Sequence, residues 1–223
     1  MKKYITIICL MLALVCSIKC TEQSALAELN VCVHGEAERS FIPDIAVVTV
    51  GVESMGENLV LLQQENSENV NKVLSELKNS GISDDNIKTK NFNVFQRYDY
   101  SNGEKLLGYQ ISNQIEFKTD NISGLSNLID VLMSAGANRF SGLSFTLSNY
   151  KEAYNEVLKD AVENAKTKAA HICSQELTIS CIQEENSLGY AYSDFYACTK
   201  TELNTIMKGD IKIKASVIVK FES

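Results

Sequence analysis

The stretch PDIAVVTVGV, Pro43 to Val52, decides how the rest of the chain is read. Six of the eight residues from Ile45 to Val52 are β-branched. Such side chains are stiff at χ1, pack well on a pleated surface and are disfavoured in a helix. The run is therefore a strand, and Gly56 ends it. On its C-terminal side, Val70, Val73, Leu74 and Leu77 recur at helical spacing, with Leu62 and Asn66 continuing that side backwards. The spacing predicts a helix over Leu59 to Asn79, stopped by Asn79-Ser80-Gly81, with Gly81 suited to the left-handed position after a helix.

The punctuation continues outward. Ile87 to Tyr98 alternates Phe92, Val94 and Gln96 against Asn93 and Phe95, which predicts a strand. Ser101-Asn102-Gly103 is a hairpin signal, and Leu106 to Phe117 is the returning strand. Asn121 or Ser123 caps a helix that runs through Leu125, Leu128, Ile129 and Leu132 to Ala135. Arg139 to Leu147 is a strand with Phe140, Leu143, Phe145 and Leu147 as candidate buried positions. The longest helix, Tyr150 to about Cys173, carries the stripe Tyr154, Val157, Leu158, Ala161, Ala165, Ala169 and Ile172, whose alanines allow a close approach to a sheet. Leu177 to Glu184 and Asp210 to Phe221 are the last strands. Asn30 to His34 is a short first strand, followed by a polar loop from Gly35 to Phe41. From Ile45 to Leu147 the order is strand, helix, strand, strand, helix, strand. The predicted fold is α+β: a ferredoxin-like βαββαβ core, extended by a long helix and two further strands, in a mainly antiparallel sheet.

Composition bounds the function. The chain has 223 residues, 45% of them hydrophobic, one proline and no Gly/Ser-rich linker, which suits one domain. Its formal net charge of -7 repels phosphate backbones and argues against a nucleic-acid partner. Residues 1–27 read as a signal peptide. Lys2 and Lys3 precede an uncharged apolar stretch, Tyr4 to Ile18, and Ala25-Leu26-Ala27 offers a cleavage site. The apolar stretch is about 15 residues, against roughly 20 for a membrane span. Residues 28–223 are then the mature domain, exported to a periplasmic, extracellular or cell-surface location and without a transmembrane span. A rival reading anchors the chain as a lipoprotein through Cys20 or Cys16. Lys19 and Val15 stand where that processing wants a small residue.

The mature chain keeps Cys32, Cys173, Cys181 and Cys198. Export permits disulfides, and four cysteines allow three complete pairings. Cys181–Cys198 is the pair favoured by their position in and just after one strand region. No CxxC, GxSxG, GxxxxGK[ST] or GxGxxG is present, and His34 and His171 form no close His/Cys cluster, so no cofactor or metal is expected. Glu36, Glu38 and Asp44 read as solvated loop carboxylates. Asp84-Asp85-Asn86 lacks the glycine and distal glutamate of a calcium loop and reads as a turn and cap. No catalytic residue emerges. The segment Asn186 to Met207 carries Tyr190, Tyr192, Phe195 and Tyr196, a candidate interaction surface, since tyrosine is favoured at interfaces.

Several segments, in this order and spacing, resemble the SIMPL domain family. They are VHGEAE (Val33–Glu38), the opening stretch, GISDDNIKT (Gly81–Thr89), GYQISNQIEF (Gly108–Phe117), AGANRFSGLSF (Ala135–Phe145) and the alanine-spaced helix. The likeness spans Val31 to Phe221. Ala37 stands where the family usually has a second glycine, and the segment from Asn186 to Met207 does not align with the general pattern. The resemblance implies no agreed catalytic residues. It implies an exported envelope protein linked to oxidative-stress tolerance, with relatives that form ring-like oligomers. The leading expectation is a non-catalytic protein that self-assembles as a homo-oligomer or binds an envelope partner. The alternatives are a thiol-based oxidant scavenger using Cys173, Cys181 or Cys198, and a carrier of a small ligand on an open sheet face.

Overall fold

The computed structural model describes residues 30–101, 103–185 and 209–222. Seven strands and three α-helices are found among them. In chain order they are β1 (Asn30–Phe41), β2 (Ile45–Gly56), α1 (Leu59–Asn79), β3 (Ile87–Asp99), β4 (Lys105–Thr119), α2 (Leu125–Ala135), β5 (Arg139–Thr146), α3 (Tyr150–Ile172), β6 (Thr178–Glu184) and β7 (Ile211–Glu222). They build two antiparallel sheets. The four-stranded sheet has the order β3-β4-β2-β5, the arrangement of a ferredoxin-like βαββαβ unit. The extension does not widen that sheet. It forms a second, three-stranded sheet, β1-β7-β6, with α3 packed on it.

Each sheet has its own core. Ala46, Val48, Val50 and Val52 of β2 and Ile115 and Phe117 of β4 meet Val73 and Leu77 of α1 and Leu125, Ile129 and Leu132 of α2. α1 ends as the sequence predicts. Gly81 has φ +85°, the Gly81 N–H donates to the Lys78 carbonyl and the Ile82 N–H donates to the Leu77 carbonyl. This is a Schellman cap, and it places Ile82 against the same core as Leu77. In β5, Phe140, Leu143 and Phe145 share the core although Phe140 differs in parity from the other two. A bulge between Thr49 and Val50 of the β2 register lets Phe140 face Val50 while Leu143 faces Val48.

The second core is built on β7. Its alternation is complete: Ile211, Ile213, Ala215, Val217, Val219 and Phe221 are all buried beneath α3. α3 meets them with Ala153, Val157, Ala161, Ala165 and Ala169. Two details of the expected arrangement change. Ile172 lies 68% exposed, because the buried stripe advances in steps of four and Ile172, three residues past Ala169, turns off the sheet. The segment Gly35 to Phe41 is strand, not loop. β1 pairs with β7 from Asn30↔Glu222 to Phe41↔Ile211 without interruption. Its inward run past Val33 is broken by Arg39, which reaches Glu156 and Asp160 of α3, before Phe41 rejoins the core, and Gly35 and Ala37 are too small to show as a hydrophobic alternation. Their size is what the site requires, since a Cβ on Gly35 would lie 2.1 Å from the Ala161 carbonyl oxygen.

That contact yields a prediction. Gly35→Ala should push β1 off α3 and cost about 1–3 kcal/mol, the usual range for an overpacked core. The unfolding midpoint in urea should fall with little change in slope.

Candidate interaction surface

The residues that carry the SIMPL resemblance turn out to hold the fold. Asp44 of the Pro-Asp pair accepts from both the backbone N–H and the hydroxyl of Ser148, tying the start of β2 to the end of β5. Asn138 extends the β2–β5 ladder by its side chain. It accepts from the Glu53 N–H at 2.8 Å and donates to the Glu53 carbonyl at 2.7 Å. Arg139 forks onto the Glu53 carboxylate with two hydrogen bonds, 2.9 and 3.2 Å. In the VHGEAE segment the His34 carbonyl accepts from Lys168 and the Glu36 N–H donates to Asn164, both on α3.

The carboxylates and histidines are dispersed in the same way. Glu36 and Glu38 stand on the outer face of β1, not in a turn, and Glu38 lies between Lys212 and Lys214 of β7. The Lys214 ammonium, hydrogen-bonded to it, holds the Glu38 carboxyl below its ordinary range. Asp84, Asp85 and Asn86 form a single 3-10 turn, as the turn-and-cap reading expects. His171 is exposed on the last turn of α3, and the His34 ring lies 3.4 Å from Glu185. Among the described residues no three His, Cys, Asp or Glu side chains are grouped to hold a metal ion. No helix among them is long and apolar enough to cross a membrane.

The face of the four-stranded sheet away from α1 and α2 is charged. Glu116 of β4 is only 12% exposed and accepts from Lys88 at 2.9 Å and Lys90 at 3.0 Å. Lys90 also reaches the buried Thr49 hydroxyl. Burial pushes the Glu116 carboxyl up, and the two ammonium groups outweigh it, leaving it below its ordinary value. A more apolar cavity lies elsewhere, beside α3. It measures about 550 Å³ and opens between Leu158 and Val162 on one side and Ile182 on the other.

Apolar exposure concentrates on β3 and the hairpin it forms with β4. β3 is a sheet edge of 13 residues. Phe92 (50%), Val94 (44%) and Phe95 (51%) are open to solvent, as are Tyr100, Leu106 and Leu107 around the hairpin tip. The register puts Phe92 and Val94 on the helix side, opposite Asn113 and Ile111 of β4. Among the described residues neither helix covers them: α1 lies over β2 and β4, and α2 packs beside α1 on the same core. A long, exposed and apolar edge is a template for another strand, and natural sheets usually guard it. The sequence showed the β3 alternation but not that its apolar side would be left open. The aromatic set it singled out instead, Tyr190, Tyr192, Phe195 and Tyr196, lies outside the described residues.

The cysteines divide similarly. Cys32 on β1 and Cys181 on β6 face Lys220 of β7 from opposite sides, and both are exposed. Two strand spacings, about 9.6 Å, separate them, beyond the roughly 7 Å Cα reach of a disulfide. Cys173 is half-buried just past α3, and among the described residues the three thiols are not bonded to one another. Cys198, and with it the pair Cys181–Cys198, lies outside the described residues.

The pattern of the SIMPL family, described as a protein of unknown function (DUF541), matches residues 31–221, and the chain belongs to that family. It is 26% identical over 146 residues to the 26 kDa periplasmic immunogenic protein of Brucella melitensis, a match covering 63% of this chain and 58% of that protein. It is 23% identical over 146 residues to the uncharacterized protein YggE of Escherichia coli strain K12, covering 65% of this chain and 59% of that protein. The chain thus spans a little under three fifths of the length of the curated relatives it matches.

The Glu116 cluster predicts an acid response. A depressed folded-state value means that Glu116 contributes stability above the unfolded carboxylate value, and that this contribution is lost as pH falls through the folded one. Urea midpoints measured from neutral pH down through about pH 4 should therefore fall less steeply for Glu116→Gln than for the natural chain.

Proposed function

We propose that this chain is an exported, non-catalytic protein of the cell envelope that works by assembly or partner binding, with residues 1–27 removed as a signal peptide and residues 28–223 acting as one SIMPL domain. The observation that carries the reading is the uncovered apolar edge of β3 and its hairpin. Strand addition at such an edge is a recurring mode of recognition: the backbone supplies affinity and the alternate side chains supply selectivity. Three further points support it. The residues of the family pattern are engaged in caps, ladders and strand–helix packing. One relative is named as a periplasmic protein. The N-terminal sequence has the order of a cleavable leader. A link to oxidative-stress tolerance is part of the same proposal and rests on the resemblance.

Light scattering on the mature chain after size-exclusion chromatography tests it, together with cross-linking in envelope extracts. The expected result is a mass above the monomer or a recovered partner. A strict monomer that captures nothing would sink the assembly reading.

A second reading has one observation in its favour, the exposed thiols of Cys32 and Cys181 on either side of Lys220. A thiolate attacks a peroxide oxygen, takes that oxygen as a sulfenic acid and releases the other, once protonated, as water. Thiol titration of the native protein should then find these groups reactive, and the Cys32→Ser, Cys181→Ser double variant should lose peroxide consumption. Equal consumption by the variant removes this reading.

A further inference from the structure

We propose that β3 pairs with β3 of a second copy of this chain, antiparallel and centred on Asn93, so that two four-stranded sheets become one of eight strands. The inference rests on the assembly reading and adds the surface and the register. It starts from the guards of the edge. Lysine commonly protects an exposed strand by projecting past it. β3 carries three cations, Lys88, Lys90 and Arg97, and all three turn back across their own sheet. Lys88 and Lys90 pair with Glu116 of β4, and the Arg97 guanidinium reaches the Met55 sulfur of β2. Between the irregularities at Thr89/Asn91 and Arg97/Tyr98, β3 runs in unbroken register with β4. Asn91 to Arg97 is therefore a straight template whose charges have been drawn inward.

The occupant follows from the pairing this template accepts. A closed two-fold contact between identical edges is antiparallel, so each register has one centre. Centring on Asn93 sets Phe92 opposite Val94 of the copy, twice, on the side of the sheet where both are already exposed. Aromatic and β-branched partners are favourable across a pair. Asn91 then faces Phe95, and within the straight stretch Asn91 to Arg97 no two charges are set opposite each other. The neighbouring registers are worse. Centring on Val94 puts Phe92 opposite Gln96, and centring on Phe92 puts Val94 opposite Lys90. Centring between Asn93 and Val94 sets Lys90 against Arg97 twice, and like charges directly opposite are destabilising.

A cross-link reads the register. With Cys32, Cys173, Cys181 and Cys198 all changed to Ser, Asn93→Cys should give a covalent dimer under mild oxidation. Its two sulfurs would face each other at the Cα spacing of an antiparallel pair, about 4.5–5.5 Å. Asn91→Cys should not, because Asn91 faces Phe95 and the two introduced thiols stand about 13 Å apart along the strands. The Phe92→Lys, Val94→Lys variant, checked by circular dichroism to be folded, should show its light-scattering mass reduced to half or less of the natural assembly. No dimer through Asn93→Cys, with an assembly mass unchanged by the lysines, overturns the β3 pairing while the assembly reading stands. A natural chain that is monomeric throughout and captures no partner overturns both.

Discussion

β2 is the strand on which the larger sheet depends. It pairs with β4 on one side and β5 on the other and is buried over most of its length. From Ala46 to Gly51 it has a neighbour on both sides and no edge to defend. Its two neighbours need not be equivalent. β5 closes one side with a bulge and the Asn138–Glu53 clasp. β4 carries the hairpin to β3, and there the sheet ends without a cover. The exposed edge is thus a consequence of where the helices sit: α1 lies over β2 and β4, α2 packs beside α1, and among the described residues neither covers Phe92 and Val94 of β3.

The smaller sheet rests on a different constraint, the distance between a strand and a helix. Gly35 leaves no space for a Cβ beneath Ala161, and the stripe from Ala153 to Ala169 keeps α3 close along the whole of β7 and β1. Small residues on both sides bring backbones together, and the long apolar side chains of β7 fill what remains. The outer face of this sheet is left to charge, Glu38 against Lys212 and Lys214, and to the thiols beside Lys220. The β3 edge and the thiols beside Lys220 therefore lie on different sheets, so a change at one need not disturb the other.

Most of the helices and strands were legible from the chain alone. The β-branched run of β2, the helical spacing of α1 with its glycine stop, and the strict alternation of β7 each state their periodicity in large apolar residues. β1 did not, because its inward positions past Val33 run glycine, alanine and then Arg39 before Phe41, and such positions declare themselves only against the helix they touch. The candidate surface was legible in part. The order of side chains along β3 could be read, but an amphipathic strand is the same sequence whether or not a helix covers it.

What the sequence determined by itself was local: the type of most elements, the glycine stop of α1, and the βαββαβ order that implies the larger sheet. What only the tertiary structure decided was relational. It placed the last three elements and β1 in a sheet of their own. It turned Lys88, Lys90 and Arg97 inward, set Cys32 and Cys181 on either side of Lys220, and left Phe92 and Val94 uncovered. The reason is physical. Periodicity and capping act over one turn or one strand, whereas register, coverage and the pairing of distant side chains depend on segments that meet only after the chain has folded.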